Sequence, residues 1–463
     1  KGDDLMIEND AFKLLLINLF HLNPDDIANI LCTTFNKMMV LVVTLTDKHQ
    51  ACPYCGFTAP KIKEYVTKEI THSALTTQKC IIKYRARRYK CSCCGKTYYE
   101  FNPFVFKSQK ISILTVHNIL KDLKDFNETF TSVARRYHVS PTSVSTIFDK
   151  HVDIGRNPLP EIINFDEVYA FKSEKSKYVC VLLDFKKQIP VDVLPNRKKE
   201  YLLNYFQKIP LEERKKVKYA CSDMYEVYRD VVHKVFPSCC MLLDYFHLSQ
   251  DFHRKMNEVR IKVMKGYKDN KASDEYYLLK KFNWLLFKNP EDEDKYGRLF
   301  DVERERKYNS HFKSYMNYYD LRKKLLEINN DLTICYSLKL ELVDFYSKST
   351  IDNAKVNLEN LIRSCIDTNI DEMIAFSNNL INWKQEIINS FTIVGTEYKV
   401  EADKGQVVVC NKKVNNAIIE NRNKIIKCIK NNANGYTNWS RFRNRVMYVL
   451  DPNATFSLEP REK

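Results

Sequence analysis

The chain has 463 residues, 44% of them hydrophobic and 12% aromatic, and carries 74 Lys/Arg against 58 Asp/Glu, a net charge of +16. That is enough apolar material for several packed cores, about three domains at roughly 150 residues each, and it excludes a disordered polyelectrolyte. With nine glycines, no Gly-rich phosphate loop and no apolar run of spanning length, the sequence argues against a P-loop or dinucleotide fold and against a membrane span.

The 15 cysteines are odd in number and mostly scattered in apolar or helical surroundings. That is not a secreted disulfide framework and points to a reducing, cytoplasmic interior. The positive charge is concentrated. Residues 51–130 hold 14 Lys/Arg and 6 acids, residues 405–450 hold 9 Lys/Arg and 1 acid, and the remainder sums to zero. Two local basic zones are the electrostatic footprint of a polyanion partner.

Residues 1–49 read as a helical entry followed by an apolar strand, Met38–Leu45. Residues 50–105 form a module rich in β-formers with two knuckles, Cys52-Pro-Tyr-Cys55-Gly and Cys91-Ser-Cys-Cys94-Gly. Each C-x-x-C turn offers two thiolates to one metal, so Cys52, Cys55, Cys91 and Cys94 predict a tetrahedral zinc site. Cys93 is an alternative ligand, and Cys80 and His72 are weaker ones. A basic run, Arg85, Arg87, Arg88 and Lys90, precedes the second knuckle and suits phosphate contacts.

Residues 106–155 predict a helix-turn-helix. Val133, Tyr137, Val139, Val144 and Ile147 fall at its apolar positions, Ala134 permits a close crossing, and Ser140-Pro141 supplies an N-cap and first-turn proline. His138 stands where such turns usually have glycine. The second helix would expose Thr142, Ser143, Ser145 and Thr146 to DNA.

Residues 158–250 change character. Apolar runs at 162–165, 178–185, 189–194, 217–221 and 239–243 alternate with helical stretches at 198–208 and 225–234, predicting a mixed α/β sheet. Asp166 directly follows the run 162–165, and Asp223 follows the run 217–221 after Ser222. If the strands lie side by side and parallel, both carboxylates reach one sheet edge, where a third acid would complete a site for two Mg²⁺ ions. Residues 251–393 read as an all-helical insertion without strands. Residues 394–463 hold brief β-like stretches, a strong helix over 414–432 and the second basic zone.

The order of these features resembles the transposases of the insertion-sequence family ISL-three, members of the DDE class. The resemblance runs through the first knuckle, the basic run, the helix-turn-helix, Asp166-Glu167, Ser222-Asp223-Met224, Asp244-Tyr-Phe-His247, Trp383 to Ile387, Glu420 to Lys427 and Gly435 to Arg445. It implies a ribonuclease-H-like catalytic domain, first part 158–250 and second part 394–463, interrupted by the insertion 251–393. It further implies an Asp166, Asp223 and Glu420 triad holding two Mg²⁺ or Mn²⁺ ions, with Asp244 and His247 in support. Asn423, Lys427, Arg441, Arg443 and Arg445 would lie along the DNA. The partners implied are the terminal inverted repeats and target DNA, bound by a homodimer in a bacterial cytoplasm at the nucleoid. Asn421 replaces the glycine that usually follows the glutamate, and 414–417 replace a glycine stretch before it. Asp244 is the leading substitute for Glu420 as third acid. A non-catalytic zinc and helix-turn-helix regulator would have no need of three acids on one sheet, and an inactive relative none to keep them intact.

Overall fold

The first strand pair of the chain is set by its turn. Asn36 and Lys37 adopt left-handed backbone, with φ of 47° and 60°, and close an antiparallel hairpin between β1 (Ile27–Phe35) and β2 (Met38–Leu45). The sequence predicts a helical entry up to Met38; the helix α1 (Gly2–Leu19) in fact ends early, and β1 replaces the rest. The computed structural model describes residues 2–48, 50–75, 77–106, 109–171, 176–400 and 407–461. β3 (Lys61–Thr71), β4 (Cys80–Lys90) and β5 (Thr97–Tyr99) complete the N-terminal sheet in the order β1-β2-β4-β3, with β5 on β4.

Three helices follow: α2 (Ile113–Asp122), α3 (Phe130–Arg136) and α4 (Pro141–His151). Thr129 caps α3 in a reciprocal capping box, and Ser140 caps α4 ahead of Pro141. His138 takes the left-handed turn between them at φ 54°, the conformation glycine usually supplies.

The second sheet contains β6 (Ile162–Val168), β7 (Val179–Asp184), β8 (Pro190–Leu194), β9 (Tyr219–Ser222) and β10 (Cys240–Leu243) in the order β10-β9-β6-β7-β8. β6-β7-β8 is an antiparallel meander, and β9 and β10 join parallel to β6 through crossovers. Its strands are near-continuous apolar runs because both faces are covered. On one face lie α5 (Lys199–Gln207) and α7 (Glu226–Val235), with the short α6 (Leu211–Arg214) between them in sequence; Phe165, Phe206 and Tyr228 fill that core. Each such side chain contributes about 1.5–3 kcal/mol on burial.

A long helix, α8 (Tyr245–Lys265), leads out of β10 into an insertion holding α9 (Asp274–Lys281), β11 (Glu293–Asp294), β12 (Gly297–Arg298), β13 (Lys307–Asn309), β14 (Ser314–Met316), α10 (Tyr318–Glu327), α11 (Asn330–Lys348), α12 (Ala354–Asp367), α13 (Asp371–Asn382) and α14 (Lys384–Asn389). The expected all-helical insertion is therefore corrected: two short hairpins stand among its helices. Their strands of two or three residues are too brief to show a period in the sequence. One apolar cluster runs from Leu243 to Phe391 and ties the insertion to the end of β10.

The chain returns by the hairpin β15 (Ile393–Val400) and β16 (Val407–Lys413) to α15 (Ala417–Asn432) and α16 (Trp439–Leu450). These two helices cover the other sheet face through Ile419, Ile426, Phe442 and Val446. No helix among the described residues is long and apolar enough to cross a membrane.

α16 also joins the modules. Tyr448 packs into the α2–α4 core, and Arg445, 1% exposed, donates from Nη2 to the backbone oxygens of Asp125 and Glu128. Arg445→Ala should lower unfolding free energy by about 2–4 kcal/mol through a cavity and two lost charge-assisted hydrogen bonds, measured by denaturant unfolding. A cost within 0.5 kcal/mol, the range of ordinary surface changes, would contradict that role.

Candidate active site

Strand register gathers the acids. β6 and β9 pair with Asn164 opposite Cys221, and β9 and β10 pair with Ser222 opposite Leu243. Counting on, Asp166, Asp223 and Asp244 are level at the C-terminal ends of three adjacent parallel strands. Asp166 and Asp244 are buried at 8% and 2% exposure.

α15 brings the fourth carboxylate. The Asn164 amide donates to Asn415 O at 2.8 Å and Asn416 Oδ1 at 2.7 Å, and the Asn416 amide donates to Phe165 O at 3.3 Å. These bonds tie the N-terminus of α15 to the middle of β6 and set Glu420 in its first turn, where the helix dipole favours an anion. About one turn on, Asn423 Nδ2 donates to Asp166 Oδ2 at 2.7 Å. His247, one turn into α8, sits 3.7 Å from Asp244 and 4.0 Å from Glu420. Asp244, His247 and Glu420 form a compact group able to hold a cation.

The electrostatics are strained. Burial pushes the Asp166 carboxyl up to about 7, and the Asp223 charge adds to it. Burial likewise raises Asp223 to about 6, with Glu167 adding and Arg197 opposing. Asp244 is raised by burial against the pull of His247 and the Asn416 N–H. Asp223 Oδ1 and Asp244 Oδ2 are buried without a hydrogen-bond partner in the protein. Such orphaned carboxylate oxygens fit a hard divalent cation, which would satisfy them and restore their ionised form. Glu167, next to Asp166, is occupied elsewhere: Arg197 pairs with it while lying 4.7 Å from the rings of both Tyr178 and Tyr225.

Asn164, Asn416 and Arg197 escaped the sequence reading as site residues, and Glu167 entered it only beside Asp166 in the family resemblance. Asn164 alone carried a signal, as the one amide inside an apolar central strand, where a buried amide must find partners.

The four knuckle cysteines also converge. Cys52 and Cys94 Sγ are 3.7 Å apart, Cys55 and Cys91 Sγ 3.5 Å, and all four lie within 4.8 Å of one another. Tetrahedral zinc with bonds of about 2.3 Å requires sulfurs about 3.8 Å apart. Gly56 and Gly95 take φ of 76° and 70° and donate back to the Cys52 and Cys91 carbonyls. The alternatives lie elsewhere: Cys93 is outside the group, Cys80 belongs to the apolar core, and His72 bonds Ser112 and the Phe20 carbonyl.

The residues expected at DNA separate into two sets. Arg85, Lys90, Thr142, Thr146 and Lys427 are exposed, and Ser143 and Ser145 are half-buried at the cap and first turns of α4. Arg87 is held by Glu100 and Arg88 by Glu64. Three expectations are corrected. Asn423 is buried against Asp166. Arg445 is buried in the joint between modules. Arg443 bonds buried Asp192 and the Ile154 carbonyl. Arg441 forms a two-pronged pair with Asp149. Arg443 and Arg445 are committed to internal partners, whereas the Arg441 side chain stays 27% exposed beside its pair.

A family model described as a transposase, the ISL-three type of the DDE class, matches residues 163–402. The chain belongs to this transposase family. The match takes in Asp166, Asp223, Asp244 and His247 and ends before Glu420. The chain is also similar to the transposase for insertion sequence element IS1001 of Bordetella parapertussis, 19% identical over 411 residues, which cover 88% of this chain and 91% of that protein.

Metal analysis should find one zinc per chain. Cys91→Ser should lose it and expose 50–105 to protease, because zinc binding supplies the folding energy of such a module, while Cys93→Ser should keep both. Zinc retained in Cys91→Ser would contradict the four-thiolate site.

Proposed function

We propose that this transposase binds the terminal inverted repeats of its element and cuts and joins DNA by metal-dependent phosphoryl transfer. The observation that carries the reading is the level placement of Asp166 and Asp223 on adjacent parallel strands, with α15 held against the same strand end. A meander of three strands extended by two parallel ones supports a ribonuclease-H-like domain. The capped pair α3 and α4, with Thr142 and Thr146 exposed, supports a helix-turn-helix that reads base edges. Arg85, Lys90 and Lys427 remain exposed for phosphate contacts.

Asp166, Asp223 and Glu420 would hold two Mg²⁺ or Mn²⁺ ions. The chemistry such ions would supply there is activation of an attacking oxygen, of water or of a freed 3′-OH, and stabilisation of the leaving one. The remaining steps belong to the chain's own residues. Asn423 fixes the Asp166 carboxylate. Arg197 holds Glu167 out of the ligand set. His247 lies between Asp244 and Glu420, at 3.7 and 4.0 Å, and would stay outside the Mg²⁺ ligands, since an imidazole is a poor ligand for that ion. Cutting two ends together calls for two copies, so we infer a homodimer on DNA, acting in the bacterial cytoplasm at the nucleoid.

The test is cleavage of end DNA by Asp166→Asn, Asp223→Asn and Glu420→Gln. Each should lose cleavage by orders of magnitude while binding to the uncut end stays within a few-fold. Full activity in Glu420→Gln with none in Asp244→Asn would transfer the third ligand to Asp244. Full activity in all three would overturn the reading.

A further inference from the structure

The N-terminal sheet has two edges, and they are built differently. β3 carries Lys61, Lys63, Glu64, Lys68 and Glu69, charges that keep a further strand from adding to it. β1, at the other edge, reads Ile-Ala-Asn-Ile-Leu-Cys-Thr-Thr-Phe, with neither a charge nor a proline. Its two-residue turn makes Phe35 and Met38 a hydrogen-bonded pair, so Phe35, Thr33 and Leu31 bond to β2. Cys32 and Thr34 therefore turn their N–H and C=O groups off the sheet. Ile30 lies in the same outward row, where its N–H donates to Asn29 Oδ1 at 2.9 Å.

The side chains around this edge are apolar and exposed. α1 packs over β1 and buries Leu16, Ile17 and Phe20 in the core beneath it. Phe12, Leu15 and Leu19, spaced by three and four residues, form a second stripe on one flank of that helix, outside the core. On the opposite face of the sheet Leu31 pairs with Val42, and Phe35 stands beside the turn. These six side chains are 43–64% exposed. At roughly 100 Å² for each half-exposed large side chain they present about 600 Å², the upper end for an ordinary monomer. With the open strand added, this approaches the roughly 800 Å² that each partner gives to a stable interface.

We propose that β1 is the surface through which two copies of this chain associate, β1 pairing antiparallel with β1 across a two-fold axis into one continuous sheet. Identical strands paired in this way form a self-complementary contact, so it closes at the dimer. A partner drawn by the chain's charge of +16 would be acidic, and β1 has no cation to offer it. A second β1 needs none: it brings the same open backbone row and the same apolar side chains. The two α1 helices, each over its own β1, lie on one face of the joined sheet. Leu31, Phe35 and Val42 meet their two-fold mates on the other. The inference concerns the protein free of DNA and stands apart from the reading of the acids.

The test is sedimentation of the full chain without DNA at micromolar concentration. The wild type should sediment as a dimer. Leu15→Asp on α1 and Leu31→Lys on β1, both at exposed positions, should each weaken association at least about tenfold, because a charge is then buried at the junction, while the circular dichroism spectrum stays unchanged. Hydrogen exchange gives a second readout on the wild type alone: the Cys32 and Thr34 amides should slow as protein concentration rises. A wild type that stays monomeric, a dimer that survives both substitutions together, or β1 amides indifferent to concentration would each overturn the inference and leave the cleavage reading standing. A dimer of this kind that binds end DNA with metal and fails to cut it would overturn the cleavage reading and leave this inference standing.

Discussion

The pairing of β6 with β9 and of β9 with β10 is the constraint on which the rest depends. Parallel strands in register bring the residues after them to one edge, so a shift of one residue would turn Asp223 to the opposite face and disperse the acids. Both sheet faces are buried, which makes such a slip costly. The apolar runs that hold the register are thus also what hold the carboxylates together, and the helices on either face act on the site through the sheet.

Three buried or half-buried carboxylates at one edge repel each other and lose hydration. The fold offsets part of that cost: Asn423 donates to Asp166, the Asn416 N–H donates to Asp244, and Arg197 balances Glu167. The remainder is left as raised carboxyl pKa values and as two oxygens without partners. A site built this way is under-neutralised by its own residues, which is the condition under which divalent cations bind strongly. The second basic zone follows a similar logic at longer range. Lys427 stays exposed on α15, whereas Arg441, Arg443 and Arg445 are absorbed by internal partners.

Much of this was legible in the sequence where one residue type has one dominant use. Paired C-x-x-C turns with following glycines give a metal cluster wherever the chain brings them, and their thiols converge. Apolar runs of four to eight residues marked the strands of the central sheet. The misses have physical causes. β1 alternates weakly, and its hairpin uses Asn36-Lys37 without the glycine that flags such turns. Arg443 and Arg445 look like any basic residues until burial is known. Glu420 lies 197 residues after Asp223, and nothing local ties it to the sheet; family resemblance supplied it, and the Asn164–Asn416 bonds explain how α15 reaches β6. Its closeness to Asp244 and His247 could not be read from spacing at all.

The central claim is that the strand register builds a binding site for divalent cations from Asp166, Asp223 and Glu420. Anomalous scattering from crystals grown with Mn²⁺ locates such ions directly. The account predicts manganese bonded to Asp166 and Asp223, with a second ion or shared ligation at Glu420, and His247 outside the bonded shell. Manganese bonded only to Asp244, His247 and Glu420, with Asp166 and Asp223 left unliganded, would contradict it.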